Sequence, residues 1–411
     1  MQIAMIGTRG VPARYGGFET CVEEVGRRLV AAGHQVRVYC RPSGVAEDDE
    51  DLQEYLGMEL IHLPAVRRRS LETLAHTALS VVHRSLAGTD AALLFNAGNA
   101  PLLPVIKSRG IPVATHVDGL EWRRDKWGKV GRRYYRTAES LAVRWSDALI
   151  ADSHGIQQYF ADEFGAATNL ITYGAPILTD IGSDRIAEFH LTPRAYHLVV
   201  ARFEPENHVR EIVQGYVASP AELPLVVVGA APYAPEYTAS VRAAADGRVK
   251  FLGALYDQDQ IDQIYANALT YWHGHSVGGT NPSLLRAAGA GTFTAAMDVS
   301  FNREVLGEHG EYFTSPDEVA QLLAKTESDS EWVLDSGAAL QQSIRRYNWD
   351  DVAERYEDLC RRLAQRTFPR RRASGRRTGA WTDQPDPQQD RWYSPATIEE
   401  LRSEHSRPTS R

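Results

Sequence analysis

Four short stretches of the 411-residue sequence gather backbone and side chains that can handle an anion or a proton. The first runs from Gly7 through Arg9, Gly10 and Pro12 to Gly16, Gly17, Phe18 and Glu19. Gly16 and Gly17 stand at the mouth of a predicted helix, where bare N–H groups and the helix dipole attract a phosphate. A tight turn that needs positive φ is the competing reading. The spacing is not the G-x-G-x-x-G dinucleotide fingerprint. The second stretch is His116-Val117-Asp118-Gly119-Leu120-Glu121-Trp122-Arg123-Arg124-Asp125-Lys126-Trp127. The imidazole of His116 and the nearby carboxylates can position a hydroxyl or stabilise a developing cation, and an Asp-Gly turn with solvated charges is the alternative. The third, Ala201-Arg202-Phe203-Glu204-Pro205-Glu206-Asn207-His208, offers the planar donor fork of Arg202 to a diphosphate. The fourth, His273-Gly274-His275-Ser276-Val277-Gly278-Gly279-Thr280-Asn281-Pro282-Ser283, is a second glycine-rich loop entering a helix at Leu284.

These loops need a scaffold, and the surrounding sequence supplies one. Apolar runs at 2–6, 35–40, 91–95, 112–116 and 148–151 alternate with helical patterns; residues 19–32 place Val22, Val25, Leu29 and Val30 on one face. The pattern restarts with runs at 195–201, 225–229, 249–253 and 269–272, with helices at 209–217 and 258–268 between them. Fully apolar strands alternating with helices predict parallel sheets covered on both faces. The fold class is therefore α/β, with two doubly wound Rossmann-like domains facing across a cleft: 1–185, and 186–366 with a closing helix over 350–366. Each chemical loop follows a strand, where open α/β sheets bind their ligands.

Composition bounds the partners. There are 45 Lys+Arg against 53 Asp+Glu, a formal charge of −8, which excludes a general nucleic-acid binder. Cys21, Cys40 and Cys360 show neither C-x-x-C nor a His spacing, so a disulfide framework and a zinc site are not expected. The longest apolar runs are too short to span a bilayer and no signal-peptide pattern opens the sequence, so the expected location is cytoplasmic. From Arg370 onward nine Arg and six acidic residues lie among Pro, Ser and Gly without apolar periodicity, and 367–411 is predicted to be a disordered tail. Residues 122–136 combine basic residues with Trp122, Trp127, Tyr134 and Tyr135. This mixture suits an anionic membrane surface, while a solvated helix face is the commoner reason for a charge run.

The segments IGTRGVPARYGGFET, HVDGLEWRRDKW, ADSHGIQQY, ITYGA, ARFEPEN and HSVGGTNPSLL, in this order, resemble the GT-B fold retaining glycosyltransferases of family-4-like type, and within them a rhamnosyltransferase-type bacterial subgroup. The resemblance spans residues 3 to 360. It implies an acceptor-binding N-terminal domain, a nucleotide-sugar-binding C-terminal domain, and transfer of rhamnose or another hexose to a glycan or lipid-linked glycan with retention, in cell-surface polysaccharide synthesis. Carried over by residue, it makes Gly16 and Gly17 the loop approaching the donor diphosphate and Arg202 the diphosphate-binding cation. The basic partner expected shortly after falls at Asn207 or His208, neither a lysine. Asp118, with His116, falls beside the anomeric carbon. Gly278, Gly279, Thr280, Asn281 and Ser283 would face the sugar and phosphates. The Glu that binds the ribose hydroxyls is replaced by Arg286, whose guanidinium has donors only. No cofactor and no metal are expected, because no Asp-x-Asp follows a strand. Trp122, Arg123, Arg124, Lys126 and Trp127 are assigned to an acceptor or membrane surface at the inner face of the plasma membrane. A nucleotide-sugar-binding protein impaired in turnover and a nucleotide-sugar epimerase are the alternatives.

Overall fold

The computed structural model describes residues 1–13, 16–42, 52–65, 72–117, 119–124, 127–230, 234–368 and 373–379. The chain forms two compact units.

The first unit is built on strands β1 (Gln2–Ile6), β2 (Gln35–Cys40), β3 (Glu54–Tyr55), β4 (Met58–His62), β5 (Ala91–Phe95), β6 (Val113–His116), β7 (Ala148–Ala151) and β8 (Asn169–Leu170). Their order in the sheet is β3-β4-β2-β1-β5-β6-β7-β8, parallel except where β3 meets β4. Helices α1 (Gly17–Ala31), α2 (Glu72–Val82), α3 (Leu103–Ser108), α4 (Lys129–Trp145) and α5 (His154–Phe164) supply the crossovers. The strands read as unbroken apolar runs because both faces are covered: Ile3, Ala4, Met5 and Ile6 are all fully buried. Removing each of the Ile and Met chains from water contributes about 1.5–3 kcal/mol. Helix α1 shows how the sequence sets one crossover. Cys21, Val22, Val25 and Leu29 line its buried face, and Gly33 at φ +86° follows its last turn. Gly26 lets it press on β4, since a Cβ there would lie 2.3 Å from the Met58 sulfur.

The second unit, Gly174–Asn348, carries β9 (His197–Val200), β10 (Leu225–Val228), β11 (Val249–Gly253), β12 (Thr270–His273), β13 (Phe293–Met297) and β14 (Glu311–Phe313). The sheet is parallel in the order β11-β10-β9-β12-β13-β14, the Rossmann order 3-2-1-4-5-6. Around it lie α6 (Val209–Ala218), α7 (Pro235–Ala243), α8 (Gln258–Ala266), α9 (Pro282–Gly289), α10 (Ser300–Leu306), α11 (Pro316–Ser328) and α12 (Ser330–Ser343). In both units the order reverses beside the first strand, at β1/β5 and at β9/β12. Loops leaving those strand pairs at their carboxyl ends are where ligands of open α/β sheets bind.

Two expectations are corrected. The last helix, α13 (Trp349–Ala364), belongs to the first unit rather than closing the second. Its apolar side, with Val352, Tyr356, Leu359 and Leu363 buried, is legible in sequence; its partner is not. That partner is α1: Arg28 Nε bonds Asp350 Oδ1 at 2.6 Å, His34 Nε2 meets Glu357 Oε1 at 2.7 Å, and the Cys21 thiol reaches the Tyr356 hydroxyl at 3.5 Å.

The second correction concerns the tail. Residues 373–379 are an extended strap docked on α4 and α5, while 380–411 lie outside the described residues. Arg377 donates to the Tyr159 hydroxyl at 2.9 Å, to Glu163 Oε1 at 3.2 Å and to the Arg136 carbonyl at 2.9 Å, and it pairs with Glu139. Its guanidinium lies over the Phe164 ring at 4.7 Å. Composition predicts disorder because the strap has almost nothing apolar to bury. One guanidinium inserted between two buried carboxylates overrides that average.

Candidate active site

At the first switch point the loop after β1 is fastened by the helix it enters. Glu19 Oε1 accepts from the Arg9 N–H at 2.8 Å and Glu23 Oε2 from the Ala13 N–H at 2.7 Å. Burial raises the Glu23 pKa, opposed by that backbone bond. Gly16 sits at φ +116°, a conformation that favours glycine. No side chain caps α1, whose amino terminus begins at Gly17. Gly16 and Gly17 therefore stand where a helix amino terminus can receive an anion. Arg14 and Tyr15 lie outside the described residues.

His116 ends β6 inside an aromatic box. Phe18 approaches edge-on at 5.3 Å, Phe95 stacks at 5.6 Å and Tyr173 lies at 6.3 Å. Burial pushes its pKa down to about 3, and Nδ1 is buried without a hydrogen-bond partner. A neutral imidazole can orient a hydroxyl but cannot supply a positive charge. Asp118 lies outside the described residues.

The basic and aromatic stretch that follows differs from the expected surface. Trp122 is 1% exposed and belongs to the core, with Arg123 and Arg136 each 5.3 Å from its ring centre. Arg124 Nε pairs with Glu121 at 2.7 Å. Trp127 packs on Tyr135 at 4.9 Å and accepts at its carbonyl from Arg132 Nε at 3.1 Å. Indole area drives Trp122 inward, and planar guanidinium groups are the natural cover for its faces. Lys126 lies outside the described residues.

At the second switch point the loops after β9 and β12 interlock. The Arg202 carbonyl accepts from Asn207 Nδ2 at 2.8 Å, and Asn207 Oδ1 meets His275 Nδ1 at 2.7 Å. With Nδ2 thus assigned as donor, Nδ1 of His275 carries the proton. Ser276 donates its N–H to the Glu206 carbonyl at 2.9 Å, and its hydroxyl meets His208 Nε2 at 2.9 Å. Gly274 makes the approach feasible, because a Cβ would fall 2.1 Å from the Asn207 carbonyl oxygen. Asn207 and His208, expected as donor-binding residues, are thus placed in the lacing of these loops. Both ends of the Asn207 amide make a hydrogen bond within the protein, one of them to the backbone of Arg202.

Gly278, at φ +154°, would strike His275 Nε2 at 2.7 Å if it carried a Cβ. Gly279 follows and Thr280 is buried. Asn281 caps α9, its Oδ1 accepting from the Ser283 N–H at 2.9 Å, and Pro282 takes the first helical position. The buried Tyr271 hydroxyl meets His273 Nδ1 at 2.9 Å. His273 is buried with its pKa near 3 and Nε2 without a hydrogen-bond partner. Sequence reading used His273 only as the loop's first residue; its place at a strand end beside a glycine loop was the available signal. Arg286 is paired with Asp262 on α8, both largely buried. Asp262 was likewise missed, since nothing local marks it as the partner of Arg286.

Among the described residues no group of His, Cys, Asp and Glu could hold a metal ion, and no helix is long and apolar enough to cross a membrane.

Two Rossmann-like units, each presenting a helix amino terminus beside its switch point, place the fold in the GT-B class. Residues 16–174 match the Glycosyl transferase 4-like domain. Sucrose-phosphate synthase from Thermosynechococcus elongatus is similar in structure, with 18% identity and a TM-score of 0.76 over 89% of this chain and 99% of that one. HepE of Anabaena in complex with UDP and glucose gives 17% identity and a TM-score of 0.70 over 87% and 99%. A glycosyltransferase from Rickettsia africae gives 14% and 0.65 over 88% and 98%. No curated protein sequence matches the chain.

Proposed function

We propose that the protein is a retaining glycosyltransferase that moves a hexose from a nucleoside diphosphate to a glycan or lipid-linked glycan acceptor. The observation that carries this reading is the β9/β12 switch point, where Arg202 is held by a laced loop beside the glycine-opened amino terminus of α9. Cleavage of the bond from the anomeric carbon leaves the electron pair on the diphosphate. Arg202 and the amides of Gly278 to Thr280 answer that charge, and preorganised donors of this kind account for about 10²–10³ in rate each. The acceptor oxygen forms the new bond, and its proton ends on the diphosphate or in solvent. The matched Glycosyl transferase 4-like domain and the UDP complexes of HepE support a nucleotide-sugar donor.

In this reading His116 and Asp118 face the sugar, His116 as a neutral hydrogen-bonding group. Asp262, oriented by Arg286, supplies the carboxylate that accepts from the ribose hydroxyls. Rhamnose on a deoxythymidine diphosphate is the preferred donor, and the sequence motifs support it. No metal takes part, so EDTA treatment leaves turnover unchanged. The site of action is the cytoplasmic face of the membrane, in cell-envelope polysaccharide synthesis.

The test begins with a panel of nucleotide sugars and the melting temperature of the protein. A donor that binds the native state raises it, by linkage. Transfer to glycan acceptors with that donor then follows, and Arg202→Ala is expected to lower kcat by about 10²-fold. If no nucleotide sugar stabilises the protein, the reading is wrong. A nucleotide-sugar-binding protein without turnover is the second reading, favoured by Arg286; stabilisation by a donor with neither hydrolysis nor transfer decides for it.

A further inference from the structure

The strap raises a question of economy. Glu139 on α4 and Glu163 on α5 have side chains only 3% and 0% exposed, an unfavourable place for two carboxylates. Apolar residues of similar size would join the helices at no loss of stability, whereas buried ions with a partner removed are strongly destabilising. Here the partner comes from a segment beyond the last helix. The α4–α5 junction is thereby conditional on residues distant in the chain.

The junction supports the candidate active site directly. Arg377 bonds the carbonyl of Arg136, and the Arg136 guanidinium covers Trp122 at 5.3 Å. Trp122 is the centre of the turn Glu121–Arg123, which closes the loop opened by His116. Just before Arg136 on α4, the Tyr134 hydroxyl donates to the Gly98 carbonyl at 2.6 Å, and Tyr135 packs against Gly98, beside the β1/β5 switch point. Other parts of the strap are fitted as closely. Gly375, at φ +71°, lies where a Cβ would be 2.3 Å from the Ser140 carbonyl; Ala373 packs on the core; Thr378 donates its N–H to the Glu163 carbonyl at 2.8 Å.

We propose that the strap 373–379 positions the turn Glu121–Arg123, which follows the strand ending at His116, with Arg377 as a positioning residue acting through α4. The catalytic consequence rests on the proposed transferase reading; the structural one does not. Three forms of the chain test it: Arg377→Ala, Arg377→Lys, and a chain ending at Phe368 to which a synthetic peptide of residues 370–382 is added. Amide hydrogen exchange is the first readout. Arg377→Ala and the shortened chain exchange about tenfold faster at residues 119–124 and 129–136, with the second unit unchanged. The peptide restores protection saturably, a peptide with alanine at 377 does not, and Arg377→Lys recovers part, keeping charge without the fork. Faster exchange confined to 373–379 and its contacts overturns the proposal, as does a shortened chain that neither loosens nor binds peptide. In transfer assays kcat and acceptor KM change while the donor dissociation constant does not. If the variants show the exchange pattern but the parent chain transfers no sugar, the transferase reading fails and the strap proposal stands.

Discussion

His116 and His273 end strands in different units, and both are held neutral by burial, with pKa values near 3. His76, near 4, behaves alike. A histidine whose folded pKa lies below its unfolded value near 6.5 stabilises the fold above that value and costs stability as pH falls toward the folded one. The melting temperature should therefore decline below about pH 6.5, and His76→Gln should flatten the decline at a modest cost in the melting temperature at pH 8. For the same reason a pH–rate profile should show no ionisation of His116 between about pH 5 and pH 9, and His116→Asn should retain more activity than His116→Ala. The residue types at this site were legible in sequence because each loop follows a strand. Their partners were not. Nothing local reveals that Trp122 turns into the core, that Asn207 is committed to Arg202, or that Arg286 meets Asp262. These are contacts between segments remote in the chain, set by packing rather than by spacing.

Between residue and molecule, the interlocked loops and the strap carry distinct expectations. Gly274→Ala forces a methyl against backbone, an overpacking that costs about 1–3 kcal/mol, and it should weaken donor binding by prising the β12 loop from Arg202. Calorimetric titration of the variant with the stabilising nucleotide sugar checks this. In the strap, burial raises the Glu139 pKa to about 6, with Arg377 opposing. A carboxyl raised in this way favours the fold below its unfolded value near 4.5 and costs stability as pH rises through about 6. Removing Arg377 pushes the folded pKa higher and extends the loss upward. The gap in melting temperature between Arg377→Ala and the parent should thus widen from pH 5.5 to pH 8, and removing Arg377 from beside the two buried carboxylates should cost about 3–5 kcal/mol at the alkaline end. A gap that stays constant with pH would refute the linkage. The crossover helices and strands were legible from periodicity, whereas the strap was hidden by a charge count that averages over the segment.

At the scale of the molecule, the second unit is one continuous piece of chain among the described residues, and the first is assembled from pieces on either side of it. Residues 174–348 expressed alone should fold cooperatively. Residues 1–173 alone lack α13 and the strap, expose the α1 surface that Tyr356 meets at Cys21, and should aggregate or remain partly unfolded. Circular dichroism and thermal melts of the two fragments decide this. Two doubly wound units were readable from the restart of the strand pattern near residue 195. The return of α13 was not, since an amphipathic helix announces a buried face without naming the surface that buries it.

That return also sets a timetable. At about 5–20 residues per second, roughly 200 residues and 10–40 seconds of synthesis separate Tyr173 from the strap. The unit whose first strand leaves the ribosome earliest is therefore the last to be completed. During that interval Glu139 and Glu163 wait for Arg377, and nascent chains halted before it should be cut by protease in α4 and α5 while the second unit is already resistant.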